Sequence, residues 1–244
     1  MNLKVLGSGS SGNCYILENE TEALIIEAGV PFKDAKVALN FNVRKIKAVI
    51  ISHEHGDHAK YVAEYMKAGI PVYSAFETQT ALEIITGERT KAIPPLQNTW
   101  VGNFKVIPFN VPHDADIECY GYLIEHEEIG KLLFLTDLEY CKYNFRKQNI
   151  NHILIEANYS DDLIDNEASN REHVLRGHMS LKTATDFIST NDNPTLLNVV
   201  LIHLSDKNAD SAQFQQKIKE TIKYGANVCV AEKGLEVDLN LCPF

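Results

Sequence analysis

His53, His55, Asp57 and His58 fall within six consecutive residues, His53-Glu54-His55-Gly56-Asp57-His58. Imidazoles and a carboxylate packed this closely lose solvation, and the imidazoles repel one another when protonated. Neutral imidazole and carboxylate are the ligands that borderline-soft divalent ions accept, so a bound metal is the occupant that relieves the cost. A solvated histidine-rich turn is the alternative. One short loop cannot complete a catalytic pair of metal ions, and ligand-type residues recur at three later points. His113 follows the apolar run 106–112, Asp137 follows 132–136, and His203 follows 199–202. Each run reads as a strand, so all three residues would reach one rim where loops converge. Taken singly, Asp137 reads as a turn former and His113 as a structural histidine. Beside the first cluster, both read as ligands.

The elements that must position these groups follow from periodicity. Lys47-Ala48-Val49-Ile50-Ile51-Ser52 reads as a buried strand that delivers the cluster. Residues 61–68 read as an amphipathic helix after it, with Asp57 placed to cap its start. Other strands are expected over 3–6, 15–17, 24–27, 72–74, 100–111, 121–125, 132–136, 152–156, 199–204 and 228–230. Helices are expected near 33–40, 79–86, 180–189 and 212–224, and a hairpin near 127–130. The strands arrive in two similar blocks, each mixing hairpins with helices. That is an α/β (α+β) pattern and suits two sheets packed face to face with helices outside. No Pro/Gly/Ser-rich linker divides the chain, so one domain over residues 1–244 is expected.

Composition narrows the class. The 244 residues, 45% hydrophobic and 23% charged, can bury a large core. No apolar run approaches bilayer length, and the N-terminus has no charged-then-apolar leader pattern, so no membrane partner is expected. Five scattered cysteines without a C-x-x-C pair read as reduced thiols of a cytoplasmic protein. The formal net charge of −10 argues against nucleic-acid binding driven by global charge. A local basic rim remains open, with Lys33, Lys36, Arg171, Arg176, Lys182 and Lys207 as its candidates and scattered solvated side chains as the alternative.

The order of H-x-H-x-D-H, His113, Asp137 and His203 resembles that of the metallo-β-lactamase-fold hydrolases, across nearly the whole chain. The resemblance implies an αββα sandwich of two mixed sheets. It implies one divalent ion on His53, His55 and His113, a second on Asp57, His58 and His203, and Asp137 with a water or hydroxide bridging them. Four further segments are similar to the small single-domain exonuclease branch called YycJ- or WalJ-like, and more distantly to tRNase Z. They are Leu6-Gly7-Ser8-Gly9-Ser10-Ser11-Gly12-Asn13-Cys14, His113-Asp114-Ala115 with Gly121-Tyr122, Leu154-Ile155-Glu156-Ala157-Asn158, and Gly177-His178-Met179-Ser180. From physics alone the first is a plain hairpin loop, and the last fits a loop with a helix N-cap. Through the resemblance, His178 becomes a catalytic candidate near the scissile phosphate, with Glu156 beside it.

The chain departs from that branch at Glu27, where the family usually has Asp, and at Tyr159, where relatives often place a polar residue. Residues 138–202 are too few for an inserted β-CASP domain. His126, His152 and His173 read as ordinary side chains. The expectation is a metal-dependent phosphodiesterase, with two Zn²⁺ or Mn²⁺ ions and a bridging hydroxide as nucleophile. Its substrate is expected to be DNA rather than RNA, cut from the ends, with Asp57, His178 and Glu156 in catalytic roles. A lactonase- or thioesterase-type hydrolase on the same site is the alternative. A metal-stabilised scaffold is the third class, and an intact Asp57 and Asp137 argue against it.

Overall fold

Side chains alternating at period two build this molecule, and the central strands of each sheet bury both of their faces, while the edge strands leave residues exposed. The computed structural model describes residues 1–85, 89–114, 117–164 and 171–242, without the His173 side chain. The first sheet takes β1 (Asn2–Gly7), β2 (Cys14–Glu18), β3 (Ala23–Ile26), β4 (Ile46–Ile50), β5 (Val72–Ser74) and β6 (Thr90–Ala92). The second takes β7 (Thr99–Val101), β8 (Phe104–Val111), β9 (Cys119–His126), β10 (Gly130–Leu135), β11 (His152–Glu156), β12 (Asn198–Ile202) and β13 (Asn227–Val230). A last strand, β14 (Glu236–Asp238), returns to the edge of the first sheet beside β1. The orders are β14-β1-β2-β3-β4-β5-β6 and β13-β12-β11-β10-β9-β8-β7. Both sheets are mixed, with β3 to β6 parallel in one and β10 to β13 parallel in the other.

Leu24, Ile26, Ala48 and Ile50 face Phe134, Leu154, Val200 and Ile202 in the core between the sheets. The intervening residues turn outward. Ile25 and Val49 pack under α1 (Phe32–Ala38) and α3 (Val62–Lys67), which follows the one-turn α2 (Gly56–Ala59). Leu133, Ile153 and Leu201 pack under α6 (Leu181–Asn191) and α7 (Ser211–Thr221). Two short helices, α4 (Phe76–Ala81) and α5 (Arg171–Gly177), complete the set among the described residues. The result is the expected sandwich of two mixed sheets with outer helices.

Several boundaries differ from the sequence reading. The strand expected over 100–111 is two, broken at Gly102 (φ +60), because Glu22 binds the Asn103 N–H and side chain and fixes a turn there. The helix expected at 79–86 starts earlier, at Phe76, and residue 86 lies outside the described residues. Asp57 does not cap the helix after it. It sits in the first turn of α2, its carboxylate faces His58, His203 and Asn13, and α3 opens on Tyr61 without a side-chain cap.

Candidate metal centre

Strand polarity places the cluster. β4, β10, β11 and β12 end on one rim, and β8 points the same way because it is antiparallel to β9, itself antiparallel to β10. The chain leaving β4 carries His53, His55, Asp57 and His58, while β8 leads to His113, β10 to Asp137 and β12 to His203; Glu156 ends β11. Glu27, Asp137 and His203 each adopt positive φ just past a strand, at +69°, +46° and +53°. Non-glycine residues rarely occupy that region, and they concentrate where a side chain must be aimed.

Two sets of four side chains converge here. His53, His55, His113 and Asp137 each offer a ligand atom within 4.8 Å of the others, and so do Asp57, His58, Asp137 and His203. Asp137 belongs to both sets: Oδ1 lies 3.3 Å from His58 Nε2 and 3.6 Å from His203 Nε2, and Oδ2 3.7 Å from His53 Nε2. Asp57 Oδ2 lies 3.1 Å from His203 Nε2 and 3.3 Å from His58 Nε2, and His113 Nε2 lies 3.3 Å from His55 Nδ1. The donor set fits divalent metal. His53 Nε2 is buried without a hydrogen-bond partner, a state that costs free energy unless something electron-poor occupies the space before it.

The opposite ring nitrogens are held from behind, which fixes their tautomers. His113 Nδ1 donates to Gly177 O at 2.9 Å, and His53 Nδ1 lies 2.9 Å from Ser52 Oγ. Glu27 Oε1 stands 3.6 Å from His58 Nδ1, beyond hydrogen-bond length, while both its oxygens accept from Ser52 N at 3.3 Å. A third group joins Asp137 and His203 to Glu156 and His178. Glu156 is fully buried, and its Oε1 lies 2.7 Å from His178 Nδ1 and 3.2 Å from His203 Nδ1. His178 stacks on His203 with ring centroids 5.4 Å apart. Ser180 is the N-cap of α6, accepting from Thr183 N.

Crowding shifts the titrations. Burial alone would raise the Asp137 carboxyl, but His203 and His58 hold it well below the usual range. Burial opposes charge on His203 as well, yet Asp137 and hydrogen bonds to Asp57 and Glu156 raise it to about 10. His58 is likewise raised against its burial by Asp137 and Glu27. His53 moves the other way, lowered by burial and then by His58. Without metal, the pocket therefore keeps its charge balance with protons.

The sequence reading missed Asn13 and Ser8, which it left in a plain hairpin loop, and the role of Asn158. Asn13 Nδ2 lies 3.2 Å from both Asp57 Oδ2 and His58 Nε2, Ser8 Oγ accepts from His203 N at 3.0 Å, and Asn158 Nδ2 donates to His203 O at 2.9 Å. The available signal was a Gly/Ser-rich stretch ending in Asn, between two strands. Tyr159 is buried against Ile164 and Val174. Of the other histidines, His126 pairs with Glu22 at 3.1 Å and His152 with Asn198 at 3.1 Å, while the His173 side chain and Ala115 lie outside the described residues. Among the candidate rim cations, Arg176 is paired with Glu172 and Lys36 sits over the Phe32 ring.

A mixed sandwich with this cluster on its rim is the architecture of a metal-dependent hydrolase. Residues 7–90 match the family model described as the metallo-beta-lactamase superfamily. It is 25% identical to "Exodeoxyribonuclease YycJ" of Bacillus anthracis over 97% of this chain and 92% of the relative. Its fold is similar to that of the metallo-beta-lactamase fold protein YhfI from Bacillus subtilis, with TM-score 0.74, 18% identity, and 97% and 98% of the two chains covered. The short form of human tRNase Z is also similar in fold, with TM-score 0.67, 17% identity, and 98% and 99% covered.

Proposed function

We propose that this chain is a phosphodiesterase dependent on two divalent ions, Zn²⁺ or Mn²⁺, that removes nucleotides from DNA ends. His53, His55 and His113 would hold one ion, Asp57, His58 and His203 the other, with Asp137 between them. Bound there, the ions supply an activated water as nucleophile and neutralise charge on the phosphate. The observation that carries the reading is the Glu156 carboxylate shared between His203 and His178. It engages His178 Nδ1, so a proton for the departing alkoxide is presented from Nε2. The same carboxylate orients His203. Oε2 is tied to Leu138 N and Met179 N, each at 3.1 Å, which keeps Glu156 from turning away. The name of the Bacillus anthracis relative supports DNA as substrate and action from the ends. One shared core between the sheets supports a single domain over residues 1–244. No described helix is long and apolar enough to cross a membrane, and the proposed working compartment is the cytoplasm.

A second reading, a lactonase- or thioesterase-type hydrolase, is favoured by acidic surroundings. A cavity of about 560 Å³ is lined by Asp34, Asp206 and Glu232 against Lys233, and one of about 530 Å³ by Glu54, Glu77 and Glu118 beside Phe76. Carboxylates so placed repel a polyanion. End-labelled single- and double-stranded DNA, incubated with the Zn²⁺- and Mn²⁺-loaded protein, separates the two. Metal-dependent release of terminal nucleotides is expected. Intact DNA alongside turnover of lactones or thioesters would overturn the nuclease in favour of the alternative.

A further inference from the structure

We infer that the Gly/Ser-rich loop leading into β2 is the positioning scaffold for one half of the metal centre, with Asn13 orienting Asp57. The inference rests on the two-ion reading above and concerns only the half formed by Asp57, His58 and His203. Asn13 is fully buried. Its Nδ2 lies 3.2 Å from Asp57 Oδ2, 3.3 Å from Asp57 O and 3.2 Å from His58 Nε2, while its Oδ1 accepts from Gly9 N at 2.8 Å. Asn13 N also donates to Asp57 O at 2.7 Å. One side chain thus ties the loop to Asp57 and His58, the two proposed ligands within α2.

Backbone packing makes that tie rigid. A Cβ on Gly7 would strike Gly12 O, one on Gly12 (φ +146°) would strike Gly29 O, and one on Gly29 would strike Asp57 O. Three glycines therefore let four backbone segments stack in direct contact, ending at Asp57. Gly29 N donates to Asn13 O at 2.9 Å and Ala28 N to His58 O at 2.7 Å, closing the stack from its far side. At the loop's other end, Ser8 Oγ accepts from His203 N at 3.0 Å and lies 2.8 Å from Tyr15 OH. That bond steadies the left-handed backbone of His203. No comparable link runs from the loop to His55 or His113 among the described residues; His113 is braced by Gly177 instead. Partners of this kind fix the geometry of metal ligands and so tune affinity at the ion they serve.

The test is titration of apo-protein with Zn²⁺ alone, resolved into two binding steps against a competing chelator. The wild-type chain should take up two ions. Asn13→Ala should leave one affinity unchanged and weaken the other about 10- to 100-fold. Ser8→Ala removes the acceptor for His203 N–H, along with the contact to Tyr15 OH, and should weaken the same ion, so the inference stays testable if Asn13→Ala does not fold. A merely structural loop would lower both affinities together with the apo melting temperature. Equal losses at both ions, or two wild-type affinities in both variants, overturn the inference. A wild-type chain that binds no ion overturns the two-ion reading itself.

Discussion

Glu156 Oε1 is shared by two imidazoles, standing 2.7 Å from His178 Nδ1 and 3.2 Å from His203 Nδ1. One buried carboxylate therefore sets the orientation of a ring within the metal cluster and of a ring stacked outside it. The two jobs can be separated by substitution, because among the described residues His178 groups only with Glu156, Asp137 and His203, while His203 also groups with Asp57 and His58.

His178→Ala removes the outer ring and leaves the seven proposed ligands in place. General-acid contributions run about 10² to 10⁴ in rate, so turnover of DNA should fall by that order while metal content stays the same. A p-nitrophenyl phosphodiester, whose leaving group needs no proton, should be much less affected. Loss of metal in the variant would make His178 a ligand. Unchanged DNA cleavage would make it structural.

Asp137 touches both sets of ligands, and its removal should cost both ions. Elemental analysis of reconstituted wild-type protein should approach two metals per chain, and Asp137→Ala should lose metal and activity together. Asp57→Ala removes a group from one set alone, so one ion should be retained in part. Wild-type protein that stays metal-free after reconstitution would end the two-ion reading.

Metal uptake should release protons. His203, raised to about 10 by Asp137 and its carboxylate hydrogen bonds, holds a proton in the metal-free pocket at neutral pH, and Asp137 and Glu27 shift His58 in the same direction. A ligand nitrogen must give up its proton before it binds, so affinity should rise with pH through the neutral range. Calorimetric titrations in buffers of different ionisation enthalpy count the protons. Uptake without proton release would mean that these imidazoles are neutral in the metal-free pocket or do not bind the ions.

The proposed ligands stood out in the sequence because four fall within six consecutive residues and His113, Asp137 and His203 each follow an apolar strand, and β5 and β11 fell on their expected limits of 72–74 and 152–156. Short exposed pieces were not: β6 and β14 have three residues each and carry no period, and α5 was likewise unforeseen. The supporting residues were hidden for a different reason. Asn13 acts on Asp57 across 44 positions, and Ser8 on His203 across 195, so neither role is written in local spacing. Glu27 was legible as a departure from the family, and the structure gives it a consequence. Its longer arm, launched from a left-handed residue, binds Ser52 N and stops short of His58.

His152 offers a stability prediction away from the cluster. It opens β11, whose far end is Glu156, so four residues of strand, about 13 Å, separate it from the rim. Its ring is fully buried, and burial lowers its titration to about 4, against about 6.5 in an unfolded chain. Between those values the unfolded chain binds a proton that the native state refuses. Stability from this residue is therefore complete above pH 6.5, declines as pH falls toward 4, and is fully lost below that, amounting to roughly 3 kcal/mol. His152→Gln keeps a polar side chain that can face Asn198 but cannot titrate. Urea unfolding should be measured in chelator, so that metal loss at low pH does not enter. Under those conditions the variant should be less sensitive to acid than the parent over this window, whatever its packing cost at neutral pH. Parallel stability curves for the two proteins would show that His152 does not carry the acid sensitivity.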